Sequence, residues 1–313
     1  MNIVFLGTGA FGIPALRALV RAGAGPQLVV SQPDRPQGRH GTPKPPPFAA
    51  VAKELGLPLF QPERVNRPEA LERIAVEKPD LLVVAAYGQI LKRPLLDTPR
   101  CGCVNIHGSL LPRHRGASPV QGALLAGDRM TGTTLMLMDE GLDTGAILAA
   151  VETEIGAEEA AGALHDRLAE LGGGMLLPLL EELVAGRASP RPQDSSAATH
   201  CGLIAKEEGL VHWERSALDN ARRIRAFNPW PGSWTFLADG ERPLRLGIVQ
   251  ARPVAAEGAP GVRLDLPGLV IACAEGALEL ITVQPAGGRP MDSAAFLRGR
   301  PIPLGVRCIT SGS

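Results

Sequence analysis

The chain has 313 residues, 45% hydrophobic and 20% charged, with 32 Lys and Arg set against 32 Asp and Glu. That is length for two domains with sizeable cores, and a charge balance that advertises no polyanionic partner by itself. No apolar run reaches the ~18–20 residues that span a bilayer, and five cysteines are too sparse and odd a set for a disulfide framework.

Residues 2–6 are a short apolar run with none of the marks of a secretion signal, so a cytoplasmic location with no membrane is expected. Gly7-Thr-Gly-Ala-Phe-Gly12 then opens an amphipathic helical pattern through Leu19. Strand, Gly-x-Gly-x-x-Gly and helix are the context of a dinucleotide site, which keeps an NAD-dependent oxidoreductase open as an alternative. The acidic residue that should end the second strand is missing. Gln27–Ser31 runs into Gln32-Pro-Asp34-Arg-Pro36, where the flanking prolines make Asp34 a loop residue. A tight turn of an ordinary α/β domain is the favoured reading. Residues 32–47 follow as a Pro/Gly-rich loop made cationic by Arg35, Arg39, His40 and Lys44. Loops of that length are functional or mobile, and a plain solvated loop fits equally.

Helical patterns near Phe48–Leu55 and Pro68–Val76 flank a short strand near Leu59. Leu81–Ala86 is apolar at every position, as a central parallel strand should be. Strand Val104–His107, helix Pro119–Ala126 and strands near Thr133–Met138 and Ala146–Glu152 come next. A helical region from about Glu158 to Val184 is interrupted by Gly172-Gly-Gly174. The alternation predicts a doubly wound, mostly parallel, Rossmann-like α/β sheet with helices on both faces, here assigned to residues 1–188. From Gly186 to Thr199 periodicity vanishes and Pro, Ser and Ala dominate, which places a linker at 189–206. Beyond it, one helix near Ser216–Ala226 precedes short strands at Ser233–Leu237, Leu244–Ala251, Val262–Leu266, Leu269–Cys273 and Leu278–Val283. They predict a small OB-like β-barrel over 207–313.

The chemistry concentrates at Cys103-Val-Asn-Ile-His107. Asn105 and His107, two apart, share one face of a strand, and parallel sheets bind ligands beyond the carboxyl ends of their strands. Asp143 waits in the glycine-flanked loop Gly141-Leu-Asp-Thr-Gly145, with Asp139 and Glu140 as acidic decoys beside it. An imidazole exchanges protons near neutral pH, an amide donates to a developing oxyanion, and a carboxylate orients the imidazole or stabilises its charged form. No activated nucleophile accompanies them: Ser109 needs a base aimed at it, and Cys103 should be buried. The set fits direct acyl transfer to an amine without a covalent enzyme intermediate. Asn105 and His107 capping a turn, with Asp143 in an Asx turn, fits the residue types as well. Cys101-x-Cys103 with His107 lacks the paired spacing of a zinc site, and no metal is expected.

Asn105-Ile-His-Gly-Ser-Leu-Leu-Pro112 and Gly141-Leu-Asp-Thr-Gly145 resemble the signature of the 10-formyltetrahydrofolate-dependent formyltransferases. Further matching pieces span nearly the whole chain: Gln32-Pro-Asp-Arg-Pro-x-Gly-Arg39, Ala86-Tyr-Gly88, Arg115-Gly116, Arg225-Ala-Phe-Asn-Pro-Trp-Pro231 and Gln284-Pro-Ala-Gly287. Together they are similar to the members whose acceptor is methionyl initiator tRNA. Sugar-nucleotide N-formyltransferases, the nearest alternative, lack the Arg-Ala-Phe-Asn-Pro-Trp-Pro segment. The resemblance implies transfer of a formyl group from 10-formyltetrahydrofolate to the free amino group of methionyl initiator tRNA, in translation initiation, with no NAD. It implies that His107 shuttles the proton, Asn105 binds the oxyanion and Asp143 raises the proton affinity of His107. It implies folate contacts at Ser109, Leu110, Leu111, Pro112, Tyr87 and Gly88. Contacts to tRNA are implied for Arg39 and Lys44, in a loop with fewer lysines than the family usually carries there. Arg222, Arg223 and Arg225 are further candidates for phosphate contact, a solvated helix face being their alternative. Trp230 and Trp234 are read as packing residues rather than base-stacking platforms. A monomer is expected.

Overall fold

The computed structural model describes residues 1–37, 41–238 and 243–309. They form two compact units. The first comprises Met1–Pro119, Met130–Glu154 and His165–Cys201; the second comprises Val120–Arg129, Ile155–Leu164 and the chain from Gly202 onward.

The first unit is built on a seven-stranded sheet in the order Ile147–Glu154, Met130–Leu137, Cys103–His107, Leu81–Ala85, Ile3–Gly7, Leu28–Val30, Leu59–Phe60. The five strands from Cys103–His107 to Leu59–Phe60 are parallel. The other two add antiparallel at one edge. Ile3–Gly7, Leu28–Val30 and Leu81–Ala85 are buried at every position, the burial that their unbroken apolar runs require. On one face Val4, Leu82 and Cys103 pack with Ile74 and Leu95 of the helices Pro68–Ala75 and Arg93–Leu96. On the other, Phe5 meets Phe48 of helix Pro47–Glu54, ring centroids 4.9 Å apart. This is the doubly wound, Rossmann-like sheet that the alternation predicts.

Three local expectations change. Gly172-Gly-Gly174 does not interrupt the helix, which runs unbroken over Ala161–Val184. A Cβ at Gly172 would lie 2.6 Å from Ile106, and one at Gly173 would lie 3.0 Å from the backbone of Pro14 and Ala15. The glycines let the helix lie close to the back of the strand that carries His107. Glycine costs a helix about 1 kcal/mol relative to alanine, and close packing offsets it. Gly7 and Gly12, read as a dinucleotide turn or a plain tight turn, both press on the fully buried Phe48. Their Cβ atoms would stand 2.8 and 2.9 Å from its ring. The cationic loop, in turn, contains a two-stranded ribbon that pairs Arg35–Gln37 with Thr42–Lys44 and sets Arg35 opposite Lys44. Arg39 and His40 lie outside the described residues.

Both sheet edges are modest. Leu59–Phe60 has two residues. Ile147–Glu154 turns Ala150, Glu152 and Glu154 to solvent. The connecting stretch after the long helix runs along this unit: Arg191 exchanges two 2.8 Å backbone hydrogen bonds with Ile147, and His200–Cys201 pairs in parallel with Arg115–Gly116.

The second unit is an antiparallel sheet in the order Leu269–Ala272, Ala277–Pro285, Leu244–Val254, Ser233–Leu237, Cys308–Ile309. Val262–Leu266, expected as a strand, is instead a seam. Leu264 N and Val262 O bond Val270 and Ala272 on one side, while Arg263 N and Gly261 O bond Val306 and Cys308 on the other. Gly261 and Gly268, at φ +83° and +88°, bracket the segment and keep it from running as regular strand. The seam nearly closes the sheet into a barrel, as the sequence suggests. Its core holds Trp213, whose Nε1 donates to Thr235 Oγ1 at 3.0 Å. Helix Ala217–Ala226, capped by Ser216, adds Ala221 and Ile224. Trp230 is not a packing residue: it is 56% exposed, in a loop between two prolines. Trp234 takes an outward position of its strand, with Arg245 4.7 Å above its ring.

Because Gly172 faces Ile106 with no room for a side chain, Gly172→Val is expected to destabilise the protein by about 1–3 kcal/mol, measured by chemical denaturation.

Candidate active site

Alternation along Cys103–His107 sends Ile106 toward the long helix and leaves Asn105 and His107 on the opposite face. Asn105 pairs in register with Val84 and Met136, and His107 with Thr134. The Asn105 amide is half-buried and makes no side-chain hydrogen bond among the described residues, so its N–H groups remain available. His107 is 5% exposed, and its Nε2 lies 3.0 Å from the carbonyl oxygen of His114. A carbonyl can only accept. Nε2 therefore carries the proton of the neutral ring, and Nδ1 is the basic nitrogen. Nδ1 stands 3.7 Å from Asp143 Oδ2, near enough for electrostatic coupling and too far for a direct hydrogen bond. Burial pushes the His107 pKa below the ordinary imidazole value. Asp143 and the His114 carbonyl oppose that shift, and the His114 ring adds to it.

The turn that delivers the His114 carbonyl is held by hydroxyl groups. Ser109 Oγ donates to Arg113 O at 2.6 Å, while Thr134 Oγ1 donates to Ser109 O at 2.7 Å and accepts from Leu111 N at 3.2 Å. Ser109 is fully buried and committed to this turn, which removes it as a nucleophile. Cys103 is removed as well, since burial pushes its thiol up to about 12.

Asp143 has a left-handed backbone, φ +54°, and its Oδ2 accepts from the amide of Gly116 at 2.7 Å. Its loop is shaped by the neighbouring acid: Asp139 Oδ1 accepts from Gly141 N at 3.0 Å and from Thr144 Oγ1 at 2.6 Å. A Cβ at Gly145 would lie 1.8 Å from Leu137 O, so only glycine fits there. Strand end, turn and loop thus bring Asn105, His107 and Asp143 to one place, with Asp139 as a cap and Glu140 exposed.

The other expected residues divide. Tyr87 has its ring in the core, where burial pushes its phenol pKa up. Its carbonyl accepts from Thr8 Oγ1 at 2.7 Å and Gln32 Nε2 at 3.0 Å. Gly88, at φ +83°, sits against Gln32, so this loop offers backbone rather than a phenol. Leu111 is buried; Leu110 and Pro112 are half-buried. Ile90 and Leu142, on the loops near Gly88 and Asp143, are 79% and 59% exposed. The resemblance implies the Leu142–Gly145 loop as a wall of the folate pocket, whereas sequence reasoning missed Ile90.

Among the basic candidates, Lys44 is exposed and Arg39 lies outside the described residues. Arg222 lays its guanidinium against Gly127. Arg223 donates to Glu208 O at 3.3 Å and covers the Phe227 ring; Arg225 donates to the carbonyls of Gly156 and Glu159. Sequence reasoning reached Arg115 only as part of a matching motif and missed Gln193, a half-buried partner of the Asp143 loop. Arg115 is 4% exposed and donates to Gln193 Oε1 through Nε at 3.1 Å and Nη2 at 2.8 Å. A lone Gln in a Pro- and Ser-rich stretch gives no periodic signal.

Comparison with known proteins identifies the family. The formyl transferase family model matches residues 1–180, and the formyl transferase C-terminal domain model matches 203–301. A methionyl-tRNA formyltransferase of Halorhodospira halophila is 47% identical over 96% of this chain and 96% of its own length. One of Methylococcus capsulatus is 46% identical over 96% of this chain and 98% of its own. Among solved structures, HypX from Aquifex aeolicus in complex with tetrahydrofolic acid matches with a TM-score of 0.63 at 18% identity. That match covers 95% of this chain and 47% of HypX.

The carbonyl contact makes one directly observable statement. In the imidazole ¹⁵N spectrum of the free protein above the His107 pKa, Nε2 is expected at the shift of a protonated nitrogen and Nδ1 at that of an unprotonated one.

Proposed function

This chain belongs to the formyl transferase family, and we propose that it transfers a formyl group from 10-formyltetrahydrofolate to the α-amino group of methionyl initiator tRNA. The observation that carries the reading is the pairing of an unprotonated Nδ1 on His107 with the unpartnered Asn105 amide on the same strand face. One group is suited to take a proton and the other to donate to an oxygen, with no nucleophile between them.

In this reading the α-amine attacks the formyl carbon directly. Asn105 donates a hydrogen bond to the formyl oxygen as it gains negative charge. His107 Nδ1 takes the proton that the amine loses and returns it to the departing folate nitrogen. Asp143, 3.7 Å away, lowers the cost of the charged ring. No step needs a metal or a hydride carrier. The donor would sit against the Ser109–Pro112 turn, the backbone at Tyr87-Gly88 and the loop before Asp143, where exposed Ile90 and Leu142 suit a flat aromatic co-substrate. The methionyl-tRNA formyltransferases named above support tRNA as acceptor; to this reading belong a catalytic role for residues 1–188, tRNA binding by 207–313 and a linker at 189–206. Lys44 and Arg39 are the basic residues we assign to phosphate contact. Arg222 lies against Gly127, and Arg223 and Arg225 lean on carbonyls and a ring of their own unit, which makes the three secondary candidates. A cytoplasmic monomer completes the proposal; no helix among the described residues is long and apolar enough to cross a membrane.

The decisive experiment is formylation of charged initiator tRNA beside uncharged and elongator controls; equal turnover of the elongator tRNA would overturn the acceptor assignment. His107→Ala is expected to lower the rate about 10²–10⁴-fold, and Asn105→Ala about 10²–10³-fold, with circular dichroism unchanged. Since burial favours the neutral ring, kcat/KM should rise with pH as His107 loses its proton. The midpoint should lie below the ordinary imidazole value of about 6.5.

A further inference from the structure

Gln193 lies in the stretch between the two family matches, and the mechanism above does not use it. Its carboxamide nevertheless makes four hydrogen bonds to oxygen and nitrogen partners, with Met136 Sδ a further neighbour of Nε2 at 3.9 Å. Nε2 donates to Asp143 O at 2.9 Å and to Gly145 O at 2.7 Å, and Oε1 accepts from Arg115 Nε and Nη2. Two donors and two acceptor sites are all that a primary amide has, so the group is saturated. The segments it joins are the two that meet at the active-site acid, because Gly116 N, next to Arg115, donates to Asp143 Oδ2. Asp143 is left-handed, a conformation that is costly for a residue with a Cβ and persists only where its surroundings over-determine it. The Nε2 bonds to Asp143 O and Gly145 O straddle that residue. Backbone bonds between Arg191 and Ile147, 2.8 Å in both directions, fix the chain just before Gln193.

We propose that Gln193 is a positioning residue for formyl transfer: it locks the 143–145 loop to Arg115–Gly116 in the arrangement that turns the Asp143 carboxylate toward His107. The inference rests on the assignment of His107 and Asp143 as the reacting pair. It extends the active site to a stretch that sequence composition reads as a linker. Without the amide, Asp143 and Gly145 lose the donor shared by their carbonyls, and Arg115, 4% exposed, loses its acceptor. The carboxylate is then free to drift. A displacement of about 1 Å in a reacting constellation is enough for a 10²-fold loss of rate.

The test compares Gln193→Leu, Gln193→Glu and Asp143→Asn in the full chain, reading kcat and KM for both substrates, thermal melting, and the His107 titration by imidazole NMR. The charged and titratable groups around the pair are Asp143 on the loop, His114 and Arg115 after the turn, and Cys201 on the strand beside Gly116. Gln193→Leu should lower kcat about 10- to 100-fold with both KM values within about twofold of the parent. It should also shift the His107 pKa downward, the direction of Asp143→Asn and by less, because a drifting carboxylate supports the imidazolium more weakly. Gln193→Glu keeps the acceptor for Arg115 and gives up the donors to the loop. It should lose kcat to a similar extent, and it decides the matter if Gln193→Leu fails to fold. Parent-like kcat in Gln193→Glu, or a change in KM alone, overturns the inference while Asp143→Asn remains impaired. Parent-like turnover of Asp143→Asn instead overturns the underlying reading of the active site.

Discussion

The hydrogen bond between His107 Nε2 and the backbone carbonyl of His114 governs the rest of the site, because it fixes the ring's tautomer and plane together. The carbonyl is delivered by a short turn off the strand end, and that turn is stapled by Thr134 from the neighbouring antiparallel strand. The edge pair of strands thus holds the turn that sets which nitrogen of His107 is basic. With Nε2 committed, Nδ1 faces both the acid and the open side of the strand, where the Asn105 amide is free. A side chain in the position of Ser109, often read as a nucleophile, is consumed in building the turn.

Burial and charge pull on His107 in opposite directions, and the geometry leaves burial ahead. At 5% exposure the ring gains little solvation for a positive charge. The carboxylate sits 3.7 Å away and spends a hydrogen bond on Gly116, so its support for the imidazolium is partial. A base that is neutral at rest and tolerably stable when charged suits a reaction in which one proton is borrowed and returned.

Much of this was legible in the chain. Unbroken apolar runs marked the central parallel strands, and two-residue spacing put Asn105 and His107 on one face. Glycines at 141 and 145 announced a loop that only a special backbone could close. What was not legible depends on contacts between distant segments. The glycines at 7, 12 and 172 look like a phosphate turn and a helix break, yet each makes room for a specific side chain, Phe48 or Ile106. Trp213, Trp230 and Trp234 are chemically alike in the sequence; one fills the barrel core, one is exposed, and one takes an outward strand position under an arginine. Gln193 offers neither period nor motif, since its hydrogen bonds all go to residues far from it in sequence. The seam at Gly261–Leu264 has the composition of a strand, but its bonds alternate between two edges.

The sheet margins carry one more consequence. An open sheet presents rows of unpaired backbone groups at its outermost strands, which invite a second chain to add on. Here one margin is two residues long and too short to template anything. The other is longer, but Arg191 already occupies its start, and Glu152 and Glu154 project from its far half. A chain trying to extend the sheet would meet paired carboxylates instead of a clean ladder. The same strands that hold the active-site turn in place therefore also resist aggregation, at the stage of folding when sheet edges are most exposed.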